Sequence, residues 1–230
     1  SLTETLTAIG ETYSAENPGV TFRFNFDSSG TLKTQIQEGA DCDLFISAGQ
    51  KQMNQLDSTA SADVNTEGLD FVDSYSRVDL LENKVVLAVP EGNPADIQSF
   101  EDLGTDPCKR IALGNEDVPV GSYSVEILTN LGILDELESG NKITYGSNVK
   151  EVTTQVSEAS ADCGIIYATD AYSAGLTVVD SATAEMCGQV IYPAAVLKGE
   201  KEEAARAFLA YLETDAAMTV FERVGFSAVY

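Results

Sequence analysis

FDSSGTLKTQIQEGADCDLFISAGQKQM, residues 26–53, contains in one run the unit from which most of this chain is built. Leading into it, Val20, Phe22, Phe24 and Phe26 alternate with Thr21, Arg23 and Asn25. That period of two predicts a strand over Val20–Phe26. Ser28, Ser29 and Gly30 then make a small hydroxyl-and-glycine turn, and Leu32 and Ile36 follow one helical turn apart. Asp43–Ser47 (DLFIS) is a short apolar run, expected to be a buried parallel strand. A strand that passes through a small turn into a helix exposes unpaired backbone N–H groups at the positive end of the helix dipole, and such a place attracts anions.

Working outward, the same alternation recurs. Leu2, Leu6, Ile9 and Tyr13 fall at helical spacing behind Ser1, and Asn17-Pro18-Gly19 stops that helix. Residues 51–80 are polar and mixed, with a loose helical tendency. Strands are predicted at Val85–Val89, Arg110–Gly114, Ile143–Tyr145 and Gly164–Tyr167, with helical faces between them carried by Tyr123, Ile127 and Leu131 and by Val152, Val156 and Ala159. Val190–Leu197 contains Pro193 and reads as an edge strand or an extended crossover. Helices close the chain at Ala204–Leu212 and Ala216–Arg223, with Gly225 as the stop. Strands alternating with helices imply an α/β fold with mostly parallel sheets. The extended segments Val85–Val89 and Val190–Leu197 bracket a self-contained α/β stretch, so the expected organisation is two lobes. Residues 1–83 with 196–230 form one, and residues 84–195 form a second, inserted lobe. Ligands of open α/β sheets sit at the carboxyl ends of strands, so a ligand cleft between facing lobes is expected.

Composition narrows the function. The 230 residues carry thirteen Lys and Arg against thirty-seven Asp and Glu, a formal charge of −24. Nucleic acid needs a basic face, so it is excluded as a partner, and anionic membrane surfaces are disfavoured. The charge is spread along the chain and reads as a solvated acidic surface. No apolar run approaches the roughly 18 residues of a membrane span. The chain opens abruptly at a helix start, from which a leader and a first strand are expected to precede Ser1 in the gene product. There is no His, which removes the commonest general base and metal ligand. Cys42, Cys108, Cys163 and Cys187 are widely spaced with no C-x-x-C, which argues against zinc. They permit two disulfides in an exported chain, or four buried thiols; Cys108 and Cys163 each precede a predicted strand and can bridge if those strands are neighbours.

No phosphate-binding or dinucleotide-binding glycine motif is present, and Gly121-Ser122-Tyr123-Ser124 is not a hydrolase elbow. Acidic pairs such as Asp41 with Asp43, or Glu116 with Asp117, are common in so acidic a chain and carry little information. What remains is anion capture by neutral donors. Small or polar residues stand just ahead of a predicted helix at Ser1, Ser28–Gly30, Val120–Gly121 and Asn148–Val149, and Tyr167 ends a strand with a phenol. Each alone looks like an ordinary helix cap; their joint occurrence on both expected lobes points to one ligand. The overall charge does not forbid this, because exposed charges are screened over about 8 Å while N–H dipoles act at contact.

These segments resemble the molybdate-binding periplasmic proteins of bacterial ABC importers. The resemblance runs from Ser1 to about Phe226. It is carried by SLTETL, SSGTLKTQIQEGADCDLFISAGQKQM, NKVVLAVPEGNP, LGNEDVPVGSYSVEIL, SNVKEV, GIIYATDA, VIYPAAV and FLAYLETDAAMTVFERVGF. It implies a two-lobed periplasmic-binding-protein fold and an oxyanion held by serine hydroxyls, backbone N–H groups and one tyrosine. By local match those are Ser1, Ser29, the backbone of Val120, the backbone of Val149, and Tyr167. It also implies molybdate or tungstate as ligand, the metal entering only as its oxyanion and no cofactor being used. A permease of an ABC importer is the implied partner. The protein is expected to be a monomer outside the cytoplasm, periplasmic or lipid-anchored, and not an enzyme.

A pocket of donors alone favours a fully deprotonated tetrahedral dianion. Hydrogen phosphate carries a proton that would face an N–H or O–H, at a cost of a few kcal/mol. Asp27 is the nearby residue that offers an acceptor: turned toward the ligand it makes phosphate credible, and turned to solvent or to the helix cap it leaves molybdate or tungstate favoured. The rival readings are a binding protein for another tetrahedral oxyanion such as phosphate or sulfate, a cleft enzyme with two converging carboxylates, and an anion sensor that docks a signalling protein.

Overall fold

The structure is a computed structural model and describes residues 2–229. In chain order the elements are α1 Leu2–Glu16, α2 Ser29–Gln37, β1 Leu44–Ile46, α3 Gln50–Asn54, β2 Val78–Asn83, β3 Val85–Val89, β4 Ile111–Gly114, α4 Pro119–Asn130, α5 Leu134–Ser139, β5 Ile143–Gly146, α6 Val149–Ser157, β6 Cys163–Tyr167, α7 Ala168–Ala174, β7 Thr177–Ser181, α8 Ala184–Cys187, β8 Ile191–Val196, α9 Glu202–Leu212, α10 Asp215–Glu222 and β9 Phe226–Ser227. Two short 3-10 turns, Ser74–Ser76 and Phe100–Gly104, lie between them. The chain divides into two compact units, Ser1–Glu82 with Val190–Tyr230, and Asn83–Gln189.

The first unit is built on a four-stranded sheet in the order β1-β8-β2-β9. β8 runs antiparallel to both β1 and β2, with Phe45 opposite Ala195 and Val78 opposite Ala194. DLFIS is therefore a strand, but its partner is antiparallel rather than parallel, and residues 191–195 pair within the first unit rather than the inserted one. Pro193 does not push its strand to an edge. It has no N–H to give to the ladder, and the register slips between Asp79 and Leu81 on the strand facing it. Its carbonyl still accepts from Ser47 N–H at 3.0 Å.

Helix α1 buries Leu6, Ile9 and Tyr13, the residues at helical spacing, against Phe208 and Leu209 of α9 and Phe221 of α10. Val20–Phe26 forms no strand. Its alternation does align Phe22, Phe24 and Phe26, whose rings stack at 5.4 Å steps, but among the described residues no strand lies beside it to complete a ladder. A second core gathers Ile36, Phe45, Met53, Leu56, Val72 and Ala195 under α2 and α3.

The second unit has a five-stranded sheet in the order β5-β4-β6-β3-β7. β4 is parallel to β5 and β6, whereas β3 is antiparallel to β6 and β7. The pairing is thus mixed: the parallel part is the run of strand–helix–strand crossovers through α4, α5 and α6. Val85–Val89 is buried at every position, as its unbroken apolar sequence requires. On α6, Val152 and Val156 are one turn apart and fully buried, packed with Val86, Ala112 and Ile166; each contributes roughly 1.5–3 kcal/mol of apolar burial. The α/β class, with helices flanking two sheets, agrees with the sequence. All four cysteines are free thiols, Cys108, Cys163 and Cys187 buried and Cys42 half-buried.

Candidate functional site

Parallel register fixes where the donors of the second unit emerge. Gly114 pairs with Gly146, and Ala112 with Gly164. The carboxyl ends of β4, β5 and β6 therefore leave the sheet at one edge, and Val120, Val149 and Tyr167 all follow from that edge.

After β4 the chain turns through Asn115, whose side chain takes the Asp117 N–H at 2.9 Å and whose carbonyl takes the Val118 N–H at 3.0 Å. Pro119 opens α4, where a missing N–H costs nothing. Val120 is the second residue of the helix, its side chain fully buried. Its N–H has no acceptor within the helix, as in every first turn. Gly121 makes the close approach possible: a Cβ there would lie 2.2 Å from the carbonyl oxygen of Asn115 and 2.6 Å from that of Gly114.

The end of β5 repeats the design. A Cβ on Gly146 would stand 2.9 Å from Val152 Cγ2 and 3.2 Å from the Val152 nitrogen, so its absence seats α6 on the strand end. Asn148 caps the helix by accepting the Glu151 N–H at 2.8 Å. Glu151 in turn takes the Ser147 N–H at 2.6 Å and its hydroxyl at 2.8 Å. These bonds, the backbone one foremost, hold the Glu151 carboxyl below its usual range. Ser147 and the Asn148 side chain are thus committed within the turn. Val149, the first helical residue, keeps an N–H with no acceptor inside the helix. Tyr167 ends β6 half-buried and leads directly into α7, its N–H donating to Asp170 at 3.3 Å. Burial pushes the Asp170 carboxyl above its usual range.

In the first unit the two serines of the turn have different tasks. Ser28 is the cap of α2: its oxygen accepts the Thr31 N–H at 3.2 Å and its hydroxyl donates to Thr31 Oγ1 at 2.7 Å. Ser29, half-buried, accepts the Ala48 N–H at 2.8 Å. A hydroxyl bound in that way retains its one O–H donor for a ligand. Asp27 is exposed, and its Oδ1 accepts the Ser28 N–H at 2.7 Å. Ser1 lies outside the described residues.

The sequence reading missed the turn that positions Ser29. Ser47, fully buried, donates to the Gly49 carbonyl at 2.7 Å and so shapes Ser47–Gly49, whose Ala48 N–H fixes Ser29. The signal was present as three small residues, SAG, directly after the strand DLFI. It also missed Glu151, whose spacing from Ser147 lets its carboxylate reach back over the first turn of α6.

Carboxylates converge elsewhere, in an open hollow of about 430 Å³ in the first unit lined by Gln50, Asp57, Thr59, Ser74, Arg77 and Asp79. There Asp57 accepts from Thr59, Ser74 and Arg77, and Asp79 from Gln50. Burial acts to raise the Asp57 pKa, but the bonds from Ser74, Thr59 and Arg77 outweigh it and hold the group below its usual range. Both acids are bound to internal donors rather than poised over a vacant position. Glu116 and Asp117 are exposed, and Asp41 is exposed beside Arg23 at 3.9 Å. Among the described residues no cluster of three or more His, Cys, Asp or Glu is placed to hold a metal ion.

Residues 1–227 match the family model described as bacterial extracellular solute-binding protein. A Bacillus subtilis protein, YvgL, assigned as an ABC transporter substrate-binding lipoprotein, is 35% identical, the match covering 99% of this chain and 84% of the relative. The molybdate-binding protein ModA of Haemophilus influenzae is 33% identical, over 99% of this chain and 87% of its own. Among solved structures, a Clostridium difficile substrate-binding domain assigned to a molybdenum ABC transporter superposes with a TM-score of 0.88 at 34% identity, covering 100% of this chain and 95% of that one.

Proposed function

We propose, from the premise that this chain belongs to the bacterial extracellular solute-binding protein family, that it captures molybdate or tungstate for an ABC importer. The anion takes hydrogen bonds from neutral groups: the Ser29 hydroxyl, the backbone N–H groups of Val120 and Val149, the Tyr167 phenol, and Ser1. In this reading the protein works as a monomer outside the cytoplasm, in the periplasm or tethered by lipid, and hands its cargo to a membrane permease. The observation that carries the proposal is the shared sheet edge at which Val120, Val149 and Tyr167 emerge, together with a first-unit serine that accepts the Ala48 N–H and keeps its O–H to donate.

Chemistry explains the choice of guest. Each helix start contributes the equivalent of about half a positive charge and oriented N–H groups, enough to hold a dianion without a basic side chain. A fully deprotonated tetrahedral oxyanion matches donors only. A protonated phosphate leaves one O–H facing a donor, a mismatch of about 1–3 kcal/mol. Asp27 is consistent with this selectivity in that it is exposed to solvent and its Oδ1 accepts the Ser28 N–H at the start of the turn.

Thermal melts with each oxyanion test the assignment. Molybdate or tungstate at 1,000 times its dissociation constant stabilises by about 4 kcal/mol, a rise of roughly 8–16 °C for a chain of this size. A clear shift with phosphate or sulfate and none with molybdate or tungstate overturns the proposal.

A further inference from the structure

The sheet of the second unit holds a pair of thiols that anion capture does not use. Cys108 lies on the approach to β4, and Cys163 is the first residue of β6. The two strands are parallel neighbours, with Ile111 opposite Cys163. Their entries are pinned together. Asp162 N–H donates to the Arg110 carbonyl at 2.9 Å, and the Asp162 carboxylate accepts the N–H groups of Lys109 at 2.7 Å and Arg110 at 2.9 Å. Cys108 N–H is fixed on the Thr105 carbonyl at 3.2 Å. Both thiols are fully buried behind these pinned strand entries. The other two cysteines have separate, local partners: Cys42 donates to the Leu44 carbonyl and Cys187 to that of Gly188.

We propose that Cys108 and Cys163 close a disulfide in the exported protein, tying the entry of β4 to that of β6, while Cys42 and Cys187 stay reduced. This rests on the extracytoplasmic reading above, because such bonds persist in oxidising compartments. Closing the bond removes two electrons and two protons from the thiol pair, and the acceptor is a disulfide of the thiol–disulfide exchange class. The Cys108 thiolate attacks the oxidant and forms a mixed disulfide, releasing the first oxidant thiol. Cys163, deprotonated, then attacks the Cys108 sulfur and releases the second. Since both sulfurs are buried once the sheet is complete, the first attack occurs on the folding chain, and the parallel register then delivers Cys163.

The test refolds the full chain with glutathione disulfide, blocks remaining thiols with iodoacetamide in denaturant, and maps peptides by mass spectrometry. The expected result is a Cys108–Cys163 link with Cys42 and Cys187 alkylated. For a loop of about 56 residues, reduction should lower the melting temperature by roughly 8–16 °C. In a Cys108→Ala/Cys163→Ala variant, oxidised and reduced samples should melt together; the wild-type comparison stands even if that variant folds poorly. Four alkylated thiols after oxidative refolding, or a link between any other pair, overturns the proposal. Melts with molybdate on the same samples separate the two claims: a link without a molybdate response refutes only the cargo, and a molybdate response without the link refutes only the disulfide.

Discussion

Replacing Gly121 by alanine tests whether the seating of α4 on β4 creates the anion donor at Val120. The added Cβ would meet the Asn115 and Gly114 carbonyl oxygens at 2.2 and 2.6 Å. Both are backbone atoms, so no side chain can swing aside. Restoring ordinary contact requires the first turn of α4 to retreat by roughly 1 Å, toward the ~3.5 Å at which heavy atoms pack. That displacement takes a hydrogen bond of about 2.9 Å beyond the distance at which it counts as one. The adjacent Val120 N–H would then lose the charge-assisted bond to the anion that we propose for it, worth about 1.5–3 kcal/mol, so Kd for molybdate should rise about 10- to 150-fold. Overpacking also costs about 1–3 kcal/mol of stability, a fall of very roughly 2–12 °C in the apo melt. Calorimetric titration with molybdate at a temperature well below the transition reads affinity apart from stability. Wild-type affinity in Gly121→Ala would refute the argument that this glycine positions a binding N–H.

Two further outcomes follow from the same geometry. Ser29→Ala should weaken molybdate binding by about 1–3 kcal/mol with little change in the apo melt, whereas Ser28→Ala should lower the melt by the ~1 kcal/mol of a lost helix cap; an equal loss of affinity in both would remove the distinction between ligand donor and cap. Asp57→Ala should destabilise the first unit by about 3 kcal/mol, the low end for breaking a buried pair, because Arg77 is left partly buried without its partner. The folded pKa of Asp57 is depressed, so its contribution is present above the unfolded value near 3.9 and is lost as pH falls below it through the folded value. Urea unfolding from pH 7 down to pH 3 should show wild type and Asp57→Ala converging at the acid end; a constant gap would contradict the linkage.

Local signals in the sequence carried most of the donor turns. The Ser28-Ser29-Gly30 run, Val120–Gly121 and Asn148–Val149 are each read within a few residues, and each falls at a helix start in the structure. What failed depended on distant partners. The alternation of Val20–Phe26 encodes an extended chain with stacked rings, but a strand needs a neighbour that alternation cannot supply. Pro193 argued for an edge, yet a register slip between Asp79 and Leu81 lets its strand sit between two others. Strands β2 and β7 went unread because Asp79, Glu82 and Asp180 interrupt their apolar pattern. The Asp57–Arg77 network joins residues twenty positions apart that no spacing rule links.

The placement of β8 between β1 and β2 has a consequence for how the polypeptide matures. The five strands of the inserted unit are all contained between Val85 and Ser181, so vectorial synthesis can finish that unit early. The sheet of the other unit must instead wait, its first two strands exposed at their inner edges, until the segment Ile191–Val196 arrives. Closure of that long loop is the high-contact-order step and should set the pace of maturation. A released chain truncated shortly before residue 190 would therefore hold all five strands of the inserted sheet but leave the strands β1 and β2 of the other without the one between them, the species most exposed to chaperone capture or aggregation.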